Sequence, residues 1–234
     1  MEKVLVLTGA DEKMKDVLNL TIPSKLKYAN KWGYDFLTIN NFRVYSQYNM
    51  DKRHLGFSRF IYALELLNYY DFVMWIDGDA IITNDNYSIH DFMINISNNK
   101  NNFFFSSDWM HNPQNFPGGH SYFSSGNFIL KSSQETEFLA ENFLHIAQYH
   151  LDDIMQEQGT LNHMSFLPEF KDYFKILHQK YLNSVPIFVS QMEIWKDRLP
   201  IFYPWNEDCF LAHFTGISNE DRVNIIKNNF KKFI

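Results

Sequence analysis

The stretch "FVMWIDGDAIITN", residues 72–84, runs five apolar residues into Asp77 and Asp79, which are separated by a single glycine. A continuous apolar run of this length suits a strand covered on both faces, the pattern of a parallel sheet. In open parallel sheets ligands gather at the carboxyl ends of the strands, which is where the two aspartates fall. With i and i+2 on one side of an extended segment and Gly78 relieving steric limits between them, both carboxylates can point to one place. Like charges held that close call for a cation between them. A hard divalent ion with oxygen ligands, Mn²⁺ or Mg²⁺, fits, its coordination completed by phosphates and water. The tripeptide alone is a weak motif, and a turn with Asp77 capping and Asp79 solvated is the other reading.

Working outward, "VLVLT" (4–8), "SKLKYANKWG" (24–33), "DFLTI" (35–39), "FSRFIYALELLNYY" (57–70) and "FVMWID" (72–77) alternate strand and helix patterns. Phe57, Phe60, Ile61, Leu64 and Leu67 keep helical spacing. This order predicts an α/β fold with a mostly parallel sheet and right-handed crossovers. Further on come a strand at "FFFSSD" (103–108), a Gly/Pro/Asn-rich loop at 110–122, a strand at "NFILK" (127–131), and a helix opened by Ser132-x-x-Glu135. Helices are expected near 153–164 and 172–182, strands at "VPIFVS" (185–190) and "LAHFTG" (211–216), and a last helix capped by Ser218 and Asp221. No repeat or linker divides the 234 residues, which suit one domain.

Composition narrows the function classes. A net charge of −6, with Lys and Arg scattered, offers no electrostatic footprint for nucleic acid or an anionic membrane. The single cysteine, Cys209, excludes an intrachain disulfide framework and reads as a small core residue. The apolar start is too short to span a membrane and reads as a first strand. A soluble protein is expected.

Five segments in order resemble a known family. "WIDGDAIITN" is similar to the metal-binding core of GT-A glycosyltransferases, specifically the galactosyl-, xylosyl- and mannosyltransferases of glycosyltransferase family 34. "KYANKWGYDF" (27–36), "SSGNFILKSSQ" (124–134), "EQGTLNHM" (157–164) and "AHFTG" (212–216) resemble its other segments. The chain departs from the family at Trp32, which replaces a His, at Ser124, which replaces an Asn, and at "ISNED", where the family carries a Lys. Many members of the family are anchored in Golgi membranes, so the resemblance implies a cytoplasmic protein of a bacterial or viral setting, or a Golgi-lumenal one if an anchor has been removed.

The resemblance implies a GT-A, Rossmann-like fold and a metal-dependent retaining transferase that moves a sugar from a UDP- or GDP-sugar to a glycan or other hydroxyl acceptor. It assigns the metal, Mn²⁺ or Mg²⁺, to Asp77, Asp79 and His213. Arg59 would reach the diphosphate or base. Thr8, Gly9 and Ala10 would allow close approach of base and ribose, with Gly78 and Gly216 completing the donor site. Glu157 and Gln158 match an acidic-Gln pair near the anomeric carbon, and Asp108, beside Trp109, would hold sugar hydroxyls. Residues 1–109 are thus expected to bind nucleotide and metal, and 110–234 to bind acceptor and close the metal site. Trp109, Phe116 and Tyr122 are a candidate stacking wall for the acceptor sugar. Two other readings stay open: a non-catalytic sugar- or nucleotide-binding module on the same fold, and a phosphohydrolase or nucleotidyltransferase, which would need a further carboxylate cluster for a second metal.

Overall fold

The computed structural model describes residues 2–40, 55–93, 100–108, 123–150, 156–186 and 204–234. Six strands form the central sheet: β1 (Val4–Ala10), β2 (Asp35–Asn40), β3 (Phe72–Ile76), β5 (Phe103–Ser107), β6 (Phe123–Lys131) and β7 (Phe174–Leu177). Their order is β2-β1-β3-β6-β5-β7, and β6 alone in this sheet runs against its neighbours. β4 (Ala80–Ile82) and β8 (Leu211–His213) form a separate antiparallel pair.

Alternation along the strands splits the core into two layers. Leu5, Leu7, Val73, Trp75, Phe105 and Phe128 pack beneath α2 (Leu55–Leu66), α3 (Gln134–Ala147) and α4 (Gln156–Phe166). Val4, Val6, Met74, Ile76, Phe104 and Ile129 face the other way, toward Tyr28 and Ala29 of α1 (Lys15–Trp32) and toward Phe210. Each fully buried Phe or Leu contributes roughly 1.5–3 kcal/mol, which is why the apolar runs read so clearly as strands. A third cluster, Val17, Ile81, Ala212, Phe214, Ile226 and Phe230, seats α6 (Asn219–Asn229) against α1 and the β4–β8 pair. Cys209 is a free, buried core residue.

The structure moves several boundaries. α1 begins at Lys15 and carries Pro23 in its interior, so it extends well upstream of the expected 24–33; Gly33, at φ 70°, ends it. Residues 172–182 do not form one helix: β7 and the short α5 (Gln179–Leu182) occupy the segment. The cap of α3 is Ser133, which accepts from the Thr136 N–H, one residue later than Ser132. Ser218 caps α6 and accepts from Asp221 N at 3.1 Å, as expected. The loop 110–122, Trp109 and most of "VPIFVS" lie outside the described residues.

Candidate active site

β3 ends at Ile76, and the chain turns at once: Ala80 N–H donates to Asp77 C=O at 3.1 Å, closing a tight turn before β4. Asp77 and Asp79 therefore sit in a turn rather than on an extended segment. Gly78 serves by being small, with no positive φ. A Cβ there would lie 3.1 Å from the Gly9 carbonyl oxygen and 3.2 Å from Ala10 Cβ. The close abutment of Gly9 and Ala10 on this turn is why β1 ends in small residues.

His213 arrives from a distant part of the chain because β8 pairs with β4, placing it opposite Ala80. Phe214 N–H donates to Asp79 C=O at 3.0 Å and fixes the register. The His213 Nε2 lies 3.3 Å from Asp79 Oδ1 and 3.7 Å from Asp77 Oδ2. On the other side of the ring, Nδ1 lies 3.0 Å from Asn183 Oδ1. The Asn183 Nδ2 donates to Ser107 C=O at 3.3 Å, so its oxygen is the acceptor and Nδ1 carries the hydrogen. This arrangement directs Nε2 at the carboxylates, the way metal-binding histidines are oriented. One ligand atom from each of Asp77, Asp79 and His213 lies within 4.8 Å of the others. Two hard carboxylates and an imidazole suit a divalent ion such as Mn²⁺. Among the described residues this is the single group of three or more metal-ligating side chains, so the second carboxylate cluster of a two-metal hydrolase is not found among them.

Gly126 makes room for the trio. A Cβ there would lie 2.6 Å from His213 Cε1 and 3.2 Å from Asp77 Oδ2. It reaches the site because β6 is antiparallel and pairs Ile76 with Asn127. The Asn127 Oδ1 accepts from Asp77 N–H at 2.9 Å.

Cations already neutralise both carboxylates. Arg59 of α2 donates through Nη1 to both oxygens of Asp77, each at 2.8 Å, and Trp75 Nε1 adds a bond at 3.1 Å. Arg222 of α6 reaches Asp79 Oδ2 through Nε at 3.0 Å. Burial alone would push Asp77 toward its neutral form, but Arg59 and His213 outweigh it and hold the carboxyl well below the usual range. Asp79 is likewise lowered against its burial, by His213 and Arg222. Burial works against the His213 charge, yet Asp79 and Asp77 raise it to about 9.

Arg59 also joins the Asp77–Asp79 turn to a second polar cluster, around Glu157 and Gln158. Its Nη2 donates to Glu157 Oε1 and, at 3.2 Å, to Ser125 Oγ. Ser125 Oγ donates to Glu157 Oε1 at 2.8 Å, and Ser125 N–H donates to Gln158 Oε1 at 3.0 Å. Gln158 Nε2 in turn donates to Asp108 Oδ2 at 2.9 Å. Asp108, Glu157 and Gln158 are thus brought together with Asp77, although their sequence positions span 81 residues from Asp77 to Gln158. Gly56 permits this: a Cβ there would lie 1.9 Å from Glu157 Oε2.

Sequence reading missed Gly56, Gly126, Ser125, Asn183, Arg222 and the buried Lys25, whose Nζ donates to Asp77 C=O at 2.7 Å. The glycine in "SSGN" and the lysine in "SKLKY" stood inside quoted segments, but only their neighbours reveal their use. Thr8, expected with Gly9 and Ala10 to allow close approach of base and ribose, turns its hydroxyl to Ile76 C=O at 2.6 Å. Gly216, at φ 76°, makes the bend between β8 and α6 that lets Arg222 return toward Asp79.

Comparisons with known proteins place this geometry. No curated protein sequence matches the chain. Among solved structures, a glycosyltransferase involved in glycosylation of the major capsid of PBCV-1 is 15% identical, with a TM-score of 0.68 over 96% of this chain and 98% of that one. The galactosyltransferase LgtC, solved with donor and acceptor sugar analogues, is 13% identical, with a TM-score of 0.56 over 98% and 100%. Mouse xyloside xylosyltransferase 1 is 10% identical, with a TM-score of 0.55 over 92% and 98%. These neighbours share the GT-A fold. Residues 1–224 match the profile of the galactosyl transferase GMA12/MNN10 family, and the chain, a glycosyltransferase with a GT-A fold, belongs to that family.

Proposed function

We propose that this enzyme transfers a sugar from a nucleotide-sugar donor, with UDP favoured over GDP as the nucleotide, to a glycan or other hydroxyl acceptor, with a divalent metal and with retention of anomeric configuration. The observation that carries the reading is the convergence of Asp77, Asp79 and His213 beside the Arg59–Glu157–Gln158 network. Asp77, Asp79 and His213 would hold the metal, which when bound supplies Lewis-acid stabilisation of the departing diphosphate. Thr8, Gly9 and Ala10, at the end of β1, would allow close backbone approach of base and ribose.

Breaking the bond from the sugar to the diphosphate leaves positive character on the anomeric carbon and negative charge on the leaving group. The buried Glu157 carboxylate, fixed by Arg59 and Ser125, supports the first. Gln158 is held at both ends of its amide, by Ser125 and Asp108, so its dipole is set before substrate arrives. Asp108 holds sugar hydroxyls, and Trp109, Phe116 and Tyr122 form the acceptor side. Residues 1–109 carry the donor half and 110–234 the acceptor half, with His213 returning to close the metal site. Among the described residues no helix is long and apolar enough to cross a membrane.

A thermal-shift panel of UDP- and GDP-sugars with Mn²⁺ tests this. A donor at 100 times its dissociation constant adds about 2.7 kcal/mol, which raises the melting temperature by roughly 5–11 °C for a domain of this size. Proton NMR of the first product formed then reads the anomer. No shift with any donor, or full transfer in excess chelator, would overturn the reading.

A further inference from the structure

Beneath the Asp77–Gly78–Asp79 turn lies an ammonium group with no access to solvent: Lys25 of α1 is 0% exposed. Its Nζ donates to Asp77 C=O at 2.7 Å, to Thr8 Oγ1 at 2.9 Å and to Thr21 Oγ1 at 3.0 Å. Both hydroxyls then donate onward. Thr8 reaches Ile76 C=O at 2.6 Å, and Thr21 reaches Gly78 C=O at 2.8 Å. Three successive carbonyls, those of residues 76, 77 and 78, are thereby gathered on one buried node. All three donors of the ammonium are used, so the node is geometrically closed.

An isolated buried charge is costly, and a core of this kind needs none. An apolar residue of the same length would fill the space at lower cost, since replacing buried charges by well-packed hydrophobic residues is often neutral or stabilising. What only Lys25 provides is a three-way tie on the backbone of the turn from which Asp77 and Asp79 project.

We propose that Lys25 is a positioning residue of the metal centre: together with Thr8 and Thr21 it draws the carbonyls of residues 76–78 inward, so that the carboxylates on the opposite side of the same turn are preset for a divalent cation. The inference rests on the metal reading of Asp77, Asp79 and His213. It assigns Lys25 no contact with substrate.

The test is Mn²⁺ binding to the full chain, followed by the electron paramagnetic resonance signal of free Mn²⁺, for wild type, Lys25→Met and Thr21→Val. Thr21→Val is nearly isosteric, removes the tie to Gly78 and leaves every charge in place, so it carries the test should Lys25→Met fail to fold. Weakening by about tenfold in folded variants is expected, the scale on which groups that orient metal ligands act. Unchanged Mn²⁺ affinity beside a lowered melting temperature would reduce Lys25 to a structural group and overturn the proposal. Tighter binding by Lys25→Met would overturn it too, by showing that the charge rather than the tie dominates. Wild type that takes up no Mn²⁺ would remove the metal reading itself and this inference with it.

Discussion

Gly126 and His213 touch across the site: the hydrogen of Gly126 occupies a place where a methyl group would be 2.6 Å from the imidazole Cε1. No Cβ tolerates such a contact, so Gly126→Ala must push the ring away from the carboxylates. The Asp77 Oδ2, 3.2 Å from the same point, leaves no room to yield. We expect a folded protein, destabilised by the roughly 1–3 kcal/mol typical of overpacking, with Mn²⁺ affinity reduced at least tenfold. Titration of Mn²⁺ beside a thermal melt separates the two effects.

In the metal-free protein, the partners that Asp79→Ala removes, His213 and Arg222, outweigh the repulsion from Asp77 that it relieves. Sequence alone suggests the reverse, because Asp77 and Asp79 are like charges. In the structure Asp79 is 6% exposed and partnered by Arg222 and His213. Its removal strands a cation, tempered by the bonds Arg222 keeps to Phe214 C=O and Asn219 Oδ1 and by proton loss from His213. A loss of about 1–3 kcal/mol is expected in chelator, the cost of unsatisfied buried groups. Asp79→Asn should lose less. Urea denaturation of the three proteins decides it, and an Asp79→Ala variant more stable than wild type would refute the ion-pair reading.

Proton bookkeeping gives a third prediction. His213, raised to about 9, is protonated in the metal-free site at pH 7.5, whereas a metal ligand must be neutral. Mn²⁺ binding at that pH should release close to one proton, seen as a dependence of the calorimetric heat on buffer ionisation enthalpy. His213→Ala should release none.

Stability of the metal-free protein should vary little between pH 7 and 9, because two groups oppose each other there. His213 rises from 6.5 to about 9 on folding, so its contribution is full below 6.5 and is lost as pH climbs to 9. Burial lowers Lys25 from 10.5 to about 7, outweighing Asp77 and Asp79. Its penalty is full below 7 and is relieved as pH approaches 10.5, where the unfolded chain binds the extra proton. Removing either group should expose the other: stability of Lys25→Met should fall with pH across this window, and that of His213→Ala should rise. Denaturant midpoints in chelator report the slopes.

Arg59→Ala leaves Asp77 and Glu157 without their shared cation, a loss of about 3–5 kcal/mol by analogy with broken buried pairs. Arg59→Lys should not restore function, since one ammonium cannot both bridge two oxygens of Asp77 and reach Glu157. Kinetics discriminate its roles. A raised donor KM at saturating Mn²⁺ marks contact with the diphosphate. A raised Mn²⁺ requirement at unchanged donor KM marks service to Asp77 alone.

The fold was legible where apolar side chains carry the energy. β1 and β3 read as unbroken runs because both faces of each are covered, and α2 read by its spacing. The start of α1 was hidden by Pro23, which marks a helix start more often than an interior, and tertiary packing overrode it. β7 was masked because "FKIL" is too short to separate strand from helix. Strand direction leaves no trace in a residue pattern, so the reversal of β6 appeared only with the sheet. Asp77 and Asp79 could be read because two carboxylates at a strand end have few uses, and His213 because it closes a familiar segment. Arg222 and Lys25 could not, since a lone cation on a helix looks solvated until its neighbours are known. Gly56 and Gly126 act by the volume they withhold, which no single-sequence pattern records.

The reversal of β6 has an engineering consequence. Ser107 pairs with Phe123 at the catalytic edge of the sheet, so the chain leaves and re-enters the scaffold at neighbouring points. Whatever sequence joins them is a cassette with fixed sockets. The re-entry point is held by Asn162, whose amide bonds both the N–H and the C=O of Phe123, and the exit point by Asn183, whose Nδ2 donates to Ser107 C=O at 3.3 Å. On the proposed division of the site, exchanging residues 109–122 for a relative's segment between these two points should change acceptor preference and leave donor affinity unchanged.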